Sequence, residues 1–503
     1  MSSRSKNVFR NVLTGIVGRF VSIILPFVTR TAILYAMGSI YLGLGTLFSS
    51  ILSFLGLAEL GIGSAIAYAM YKPIARNDIE TICNLLGYIK RVYQRIGISI
   101  LIIGGLIIPF LPMVIKGEVP SDISIYALYI LYLINSSIGY FFAGYRQVLL
   151  TAFQRMDILN VILLIVNSAV YITQTIIIII TKNYYLYAFI PILGSLLSNV
   201  LNLIITNRMF PEIRCNSEIK FKDREEINKR IGGLFGTRLN SLVVHQADII
   251  VISAFIGLEM VTIYGNYYYI MNSICEIIMI FFSSMIASIG NKMATDSVDQ
   301  NYYLFKKITI INEWIVTICA ACFICLYQPF MKLWVGARHM LDLGFVILLV
   351  VYFFIYEIQR TVLAFKDAAG IWQEDQLRPY ISMTLNLVFN IVLVRKIGIY
   401  GIIISTIIAF IISLPWANKV LFNIYFHRSS FENLVVILRS FLITIIACVL
   451  SYVFCLVPAE GLCGIAIKLV ITVLVSNIVF FISNRKRSEI GYLVEYIDDL
   501  IKR

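Results

Sequence analysis

Residues 158–181 read ILNVILLIVNSAVYITQTIIIIIT. The stretch carries no charge, runs into five isoleucines from Ile176 to Ile180, and is flanked by Asp157 and Lys182. At ~1.5 Å per residue, a helix of about 20 such residues crosses the ~30 Å hydrocarbon core of a bilayer. A membrane β-strand would alternate apolar and polar residues instead. The exceptions to the apolar run, Asn160, Asn167 and Gln174, recur every seven residues and so share one helix face.

The rest of the chain extends this reading. Of 503 residues, 59% are hydrophobic and 14% charged, whereas soluble domains are roughly a quarter charged. Too few charges remain to coat a water-soluble surface. Fourteen runs qualify as spans: 9–36, 41–70, 96–115, 123–145, 158–181, 185–207, 231–256, 262–290, 308–335, 343–365, 380–395, 400–418, 434–457 and 464–484. The expected fold is an all-α polytopic membrane protein with about 14 transmembrane helices. Residues 1–210 would form an N-terminal lobe (helices 1–6), 211–230 a cytoplasmic linker, and 231–430 a C-terminal lobe (helices 7–12). Residues 431–503 would supply helices 13–14 and a cytoplasmic tail.

The net charge of +13 is mostly topology. Thirty of the 41 Lys and Arg fall in one set of alternating loops, six in the other and five within spans. Cytoplasmic loops collect positive charge, so both termini are expected in the cytoplasm, and nucleic acid is not needed to explain the balance. The basic, amphipathic segments 71–95 and 208–230 read as surface helices on membrane lipid. The outer loops are short, and no segment is large enough for a soluble catalytic domain. Catalytic residues are therefore not expected. The chain opens MSSRSKNVFRN and runs straight into a full-length span, so no cleavable signal peptide is expected. Most of the nine cysteines lie in apolar runs; Cys319, Cys322 and Cys325 have helical spacing and read as packing residues, not metal ligands.

Span seven echoes span one. Gly15-Ile-Val-Gly18 lies on Gly233-Leu-Phe-Gly236, and fifteen residues further each register meets a charge, Arg30 and Asp248. A parallel repeat of six helices is a transporter plan.

Charges within spans cost roughly 3 kcal/mol each when they face lipid, so they face partners or cavities. The cations are Arg19, Arg30, Arg238, Arg360 and Lys468; the acids are Glu59, Asp248, Glu276, Glu313 and Glu357. Arg19 and Arg30 share a face about 16 Å apart in depth. Arg238, Ser241, His245 and Asp248 form a stripe on span seven, and Glu357 and Arg360 are one turn apart. One reading pairs these charges as glue between helices. The other lines a central cavity for an anion, because guanidinium binds phosphate as a fork and stays charged when buried. On that reading Arg19, Arg30, Arg238 and Arg360 are candidate substrate-binding cations. Asp248, His245, Glu357, Asn160, Asn167 and Gln174 are the candidate coupling or cavity polar groups.

Four places together resemble the polysaccharide (oligosaccharide-lipid) flippases of the multidrug/oligosaccharidyl-lipid/polysaccharide exporter superfamily. They are Gly15, Arg19 and Arg30 with Tyr41-Leu-Gly-Leu-Gly45, then Leu57-Ala-Glu-Leu-Gly61-Ile-Gly63, then Ala247-Asp248 with Ile256-Gly257 and Tyr264-Gly265. The fourth is Ala368-Ala-Gly370-Ile with Asn386, Asn390, Gly398-Ile-Tyr-Gly401 and Ser405-Thr406. The resemblance implies two pseudo-symmetric six-helix lobes with two appended C-terminal helices. It implies a flippase moving an undecaprenyl-diphosphate-linked glycan to the outer leaflet of the bacterial cytoplasmic membrane, for surface polysaccharide. It further implies a monomer working beside glycan-assembly proteins, without a cofactor. The membrane potential would favour outward movement of two negative charges by about 4.6 kcal/mol per 100 mV; H+ or Na+ antiport through Asp248 or Glu357 is the other drive. The alternative function is a cation-coupled multidrug exporter of the same superfamily, which calls for a net acidic cavity.

Overall fold

A computed structural model of the chain describes residues 3–59, 61–213, 239–240, 242–457 and 461–492. Among these the secondary structure is helical throughout, without strands. In chain order the helices are α1 (Ser3–Ala36), α2 (Ser39–Leu55), α3 (Ile62–Ala75), α4 (Ile79–Ile107), α5 (Leu111–Val114), α6 (Ile125–Phe141), α7 (Gln147–Ala152), α8 (Met156–Thr181) and α9 (Tyr184–Met209). They continue as α10 (Leu242–Phe255), α11 (Leu258–Thr295), α12 (Val298–Trp334), α13 (Leu343–Ile358), α14 (Arg360–Ala368), α15 (Leu377–Ile397), α16 (Ile399–Leu421), α17 (Ser430–Phe454) and α18 (Gly461–Asn484).

Each of the fourteen expected spans coincides with helix among the described residues. Ten are long and apolar enough to cross a membrane, α6 and α7 form a bent pair, and Phe20–Ala36, Ser39–Leu55 and Leu242–Phe255 are shorter apolar helices. The protein is a polytopic all-α membrane protein. Its second span is broken: α2 ends in a tight turn at Gly56–Glu59, and α3 restarts after Gly61, whose φ of 89° is open to glycine at little cost. One expectation fails here. Residues 79–95 are not a separate surface helix; they are the first half of α4, capped by the Asp78 side chain on the Thr81 N–H at 3.0 Å. Leu85, Leu86, Ile89, Tyr93, Ile96 and Ile100 continue one apolar stripe from that half into the span, and all are buried. The face read as lipid-facing is thus covered by protein. Of the other such segment, α9 takes residues 208–209, and most of the remainder lies outside the described residues.

The chain divides into two compact units, Met1–Thr262 and Ile263–Arg503. In the first, α1 packs along α8, where the Thr29 hydroxyl meets Thr175 at 2.9 Å and the Tyr171 carbonyl at 3.3 Å. Hydroxyls at close helix crossings are membrane glue. α10 belongs with this unit: Ser253 donates to the Val114 carbonyl at 2.6 Å, and the Lys116 ammonium to the Phe255 carbonyl at 2.6 Å. In the second unit α12 is the central helix, packed by α13, α17 and α18. Trp314 donates to Asn477 at 2.8 Å and Thr317 meets Thr444 at 2.9 Å. α15 and α16 form a tight hairpin; a Cβ at Gly401 would lie 2.5 Å from the Leu393 carbonyl carbon.

Candidate functional site

The first unit encloses a cavity of about 830 Å³. Its walls follow from helical spacing. α2 contributes Thr46, Ser49, Ser50 and Ser53, one hydroxyl-bearing face; α6 contributes Tyr132, Asn135, Ser136 and Gly139; α9 contributes Tyr184, Tyr187, Ser195, Ser198 and Asn199. α8 adds Asn167, Tyr171 and Gln174, α1 adds Arg30 and α10 adds Gln246. From Tyr184 to Asn199, fifteen residues of helix give a wall about 22 Å long.

The wall is largely pre-organised by its own hydrogen bonds. Gln174 donates to the Tyr187 carbonyl at 3.0 Å, Ser195 to Asn135 at 3.1 Å, and Asn199 to the Ser195 carbonyl at 2.9 Å. Among the described residues, the charged ones lining it are Arg30 and Glu59. Arg30 is half-buried at the Tyr184 end, and its charge acts on Tyr184 and Tyr187. Glu59 lies in the break of the second span, where Tyr93 donates to one carboxylate oxygen at 2.7 Å and Tyr140 to the other.

Of the residues singled out from sequence, Arg30, Asn167 and Gln174 come together on this cavity. Asn160 is half-buried two turns before Asn167 and is not part of the lining. On α10, His245 is half-buried and Asp248 buried, on either side of Gln246, and both are engaged with neighbouring groups. Arg238 and the Arg19 side chain lie outside the described residues.

Glu357 and Arg360 belong to the second unit and bind each other. Two N–H groups of Arg360 donate to the two carboxylate oxygens at 3.0 Å each, and the guanidinium stacks 4.7 Å above the Tyr356 ring. They flank the junction of α13 and α14, where Asn312 donates to the Glu357 and Ile358 carbonyls at 3.0 and 3.2 Å. The fourth resembling segment also gains a physical role: Asn386 donates to Thr406 at 2.9 Å, Asn390 to Asn386 at 3.2 Å, and Ser405 to Asn390. This buried ladder joins α15 to α16.

Sequence reasoning ranked Glu59 as one acid among five and passed over its tyrosine partners. Tyr93 and Tyr140 are 34 and 81 residues away, so no local spacing links them. The Thr46–Ser49–Ser50–Ser53 face carried a usable signal: four hydroxyls at helical spacing in an otherwise apolar span.

No family model and no curated protein matches the chain. Solved structures do. The lipid II flippase MurJ in an inward closed conformation superposes with a TM-score of 0.70 at 16% identity, covering 94% of this chain and 99% of that one. An inward-facing multidrug resistance MATE family transporter gives 0.65 at 15% identity, covering 80% and 97%. A Pyrococcus furiosus transporter described as having reverse polarity of its binding pocket gives 0.58 at 16% identity, covering 84% and 97%. The chain therefore shares the all-helical membrane fold of these solved structures.

Proposed function

We propose that the protein is a lipid-linked oligosaccharide flippase of a bacterial cytoplasmic membrane, with both termini in the cytoplasm. The observation that carries this reading is the chemistry of the 830 Å³ cavity. Its size is within the ~300–1,000 Å³ of small-molecule sites. Hydroxyls and amides suit the hydroxyls of sugars, and tyrosine faces suit their C–H faces. Arg30 suits a phosphate oxygen.

The glycan would occupy the hydroxyl-lined wall and the diphosphate would pair with Arg30, while the polyprenyl tail stays in lipid. The two units, Met1–Thr262 and Ile263–Arg503, would rock to carry the head across, and the membrane potential would favour the outward step. A coupling ion at Glu357 would have to compete with Arg360. The multidrug reading is less well supported, because an organic cation needs an available acid. Glu59, the acid on the cavity wall, already accepts hydrogen bonds from two tyrosines.

The test is a deletion strain making the lipid-linked glycan. It should accumulate that intermediate on the inner leaflet and lose surface polysaccharide, and the intact chain should restore it. Unchanged surface glycan in the deletion strain, together with altered resistance to cationic drugs, would favour the exporter instead.

A further inference from the structure

The second membrane span is interrupted at the cavity wall. α2 ends at Leu55, a turn covers Gly56–Glu59, and α3 begins at Ile62. Non-helical backbone survives at membrane depth only where protein covers it or a polar cavity meets it, and in transporters such interruptions mark substrate sites. Glu59 is the side chain that this interruption gives to the cavity, and it is half-buried there.

Glu59 is held still. Tyr93 of α4 donates to one carboxylate oxygen at 2.7 Å, and Tyr140 of α6 donates to the other. The two rings brace each other edge to face with their centres 5.5 Å apart. Both tyrosines line the cavity beside the acid they hold. Acceptance at both oxygens is the bonding of a charged carboxylate, which offers about four acceptor positions. The phenols take one position on each oxygen, so each oxygen keeps room for a further donor. Among the described residues the partners of this carboxylate are phenols, not cations.

Arg30 works at another level of the same cavity. Tyr132 precedes Tyr140 by eight residues on α6, about 12 Å along the helix. The Tyr132 hydroxyl meets that of Tyr184 at 3.4 Å, and the Arg30 charge acts on Tyr184. A diphosphate held at Arg30 therefore leaves the Glu59 level to the glycan. A sugar hydroxyl arriving there finds an open acceptor. A sugar carboxylate arriving there finds a fixed like charge in a low dielectric, the arrangement that rejects wrong partners.

We propose that Glu59, fixed by Tyr93 and Tyr140, is a specificity-determining residue that accepts glycan hydroxyls and excludes glycans with an anionic group at its level. The transported head is then a neutral glycan on a diphosphate. This deepens the flippase reading and rests on it for one point, that a glycan occupies the cavity.

The test uses the full chain in detergent and two farnesyl diphosphate probes, read by thermal unfolding. One probe carries a glucosyl-glucose head. The other carries glucuronate as the outer sugar, so the two differ only in a hydroxymethyl against a carboxylate. Wild type should bind the neutral head tighter by about tenfold or more. Glu59→Gln keeps the shape and loses the charge, and should bind the two heads within about threefold of each other. Glu59→Asp keeps the charge and should keep the discrimination, although its shorter side chain leaves the tyrosines and weakens binding of both heads. A merely structural role for Glu59 would lower Tm in both variants and leave the ratio of affinities unchanged, which overturns the proposal. Equal affinity of wild type for the two heads also overturns it, and that result needs no variant to fold. Should Glu59→Gln fail to fold, Glu59→Asp decides: loss of discrimination there overturns the proposal. The two readings fail separately. Equal binding of both heads together with rescue of surface glycan sinks the selectivity and leaves the flippase. Discrimination that depends on Glu59, without rescue of surface glycan, sinks the flippase and leaves a neutral-sugar site.

Discussion

Arg360 meets Glu357 through two parallel hydrogen bonds of 3.0 Å each, one helical turn apart. Glu357 is 0% exposed, so the two charges cancel inside the second unit. Each is accounted for without a ligand. The pair also sits beside the junction of α13 and α14, whose carbonyls Asn312 holds.

Removing one member should therefore be worse than removing both. Arg360→Met leaves a buried carboxylate alone, which costs about 3–5 kcal/mol. The double variant Glu357→Leu with Arg360→Met removes both charges and should recover most of that loss. Thermal unfolding of purified protein checks it; a double variant no more stable than Arg360→Met would show that the pair holds something other than itself.

Gly401 makes a geometric prediction. A Cβ there would lie 2.5–2.7 Å from the Leu393 carbonyl carbon and oxygen and the Val394 nitrogen, all backbone. Gly401→Ala must push α15 and α16 apart and disrupt the Asn386–Thr406 bond, so folded protein should be largely lost. Gly105→Ala, where nothing lies within 4 Å, should be neutral or gain up to about 1 kcal/mol from helix propensity. Detergent size-exclusion profiles of the two variants give the comparison.

The fold was more legible than the site, for physical reasons. A span announces itself through twenty consecutive side chains, because lipid contacts all of them. The expected span 158–181 ends on the observed last residue, Thr181, and starts two residues after Met156. Residues 79–95 misled, since a polar-and-apolar face looks alike whether protein or lipid covers it. The cavity was half legible. Asn167 and Gln174 showed themselves by a seven-residue repeat on one helix. Glu59 needed Tyr93 and Tyr140 from two other helices.

Asp375, in the loop between α14 and α15, sets an acid limit on stability. Burial pushes its carboxyl up, but Arg378 and Lys366 outweigh burial and hold it below the ordinary carboxylate value of 3.8. Arg378 donates to it at 2.7–3.0 Å and Lys366 at 2.6 Å. A lowered folded pKa means the stabilisation is complete above the unfolded value and is lost as pH falls through the folded one. Wild type should lose Tm below about pH 4. Asp375→Asn should start lower by about 3 kcal/mol and lose this part of the pH dependence. An acid limb of the same steepness in both proteins would assign it to other carboxylates.

Arg30 and Arg360 should fail in different ways when each is replaced by alanine. Arg360 is committed to Glu357, so Arg360→Ala should lower the amount of folded protein, while the molecules that do fold keep an intact cavity. Arg30 lines the cavity. On the proposed flippase function its loss would remove a charge-assisted contact to substrate, about 1.5–3 kcal/mol, and should lower surface glycan per folded molecule by at least tenfold. Arg30→Lys keeps the charge but not the fork and should be intermediate. Surface glycan normalised to membrane-inserted protein separates the two effects. If Arg30→Ala matches wild type after that normalisation, the cavity does not bind an anion through Arg30, whatever it binds through its hydroxyl wall.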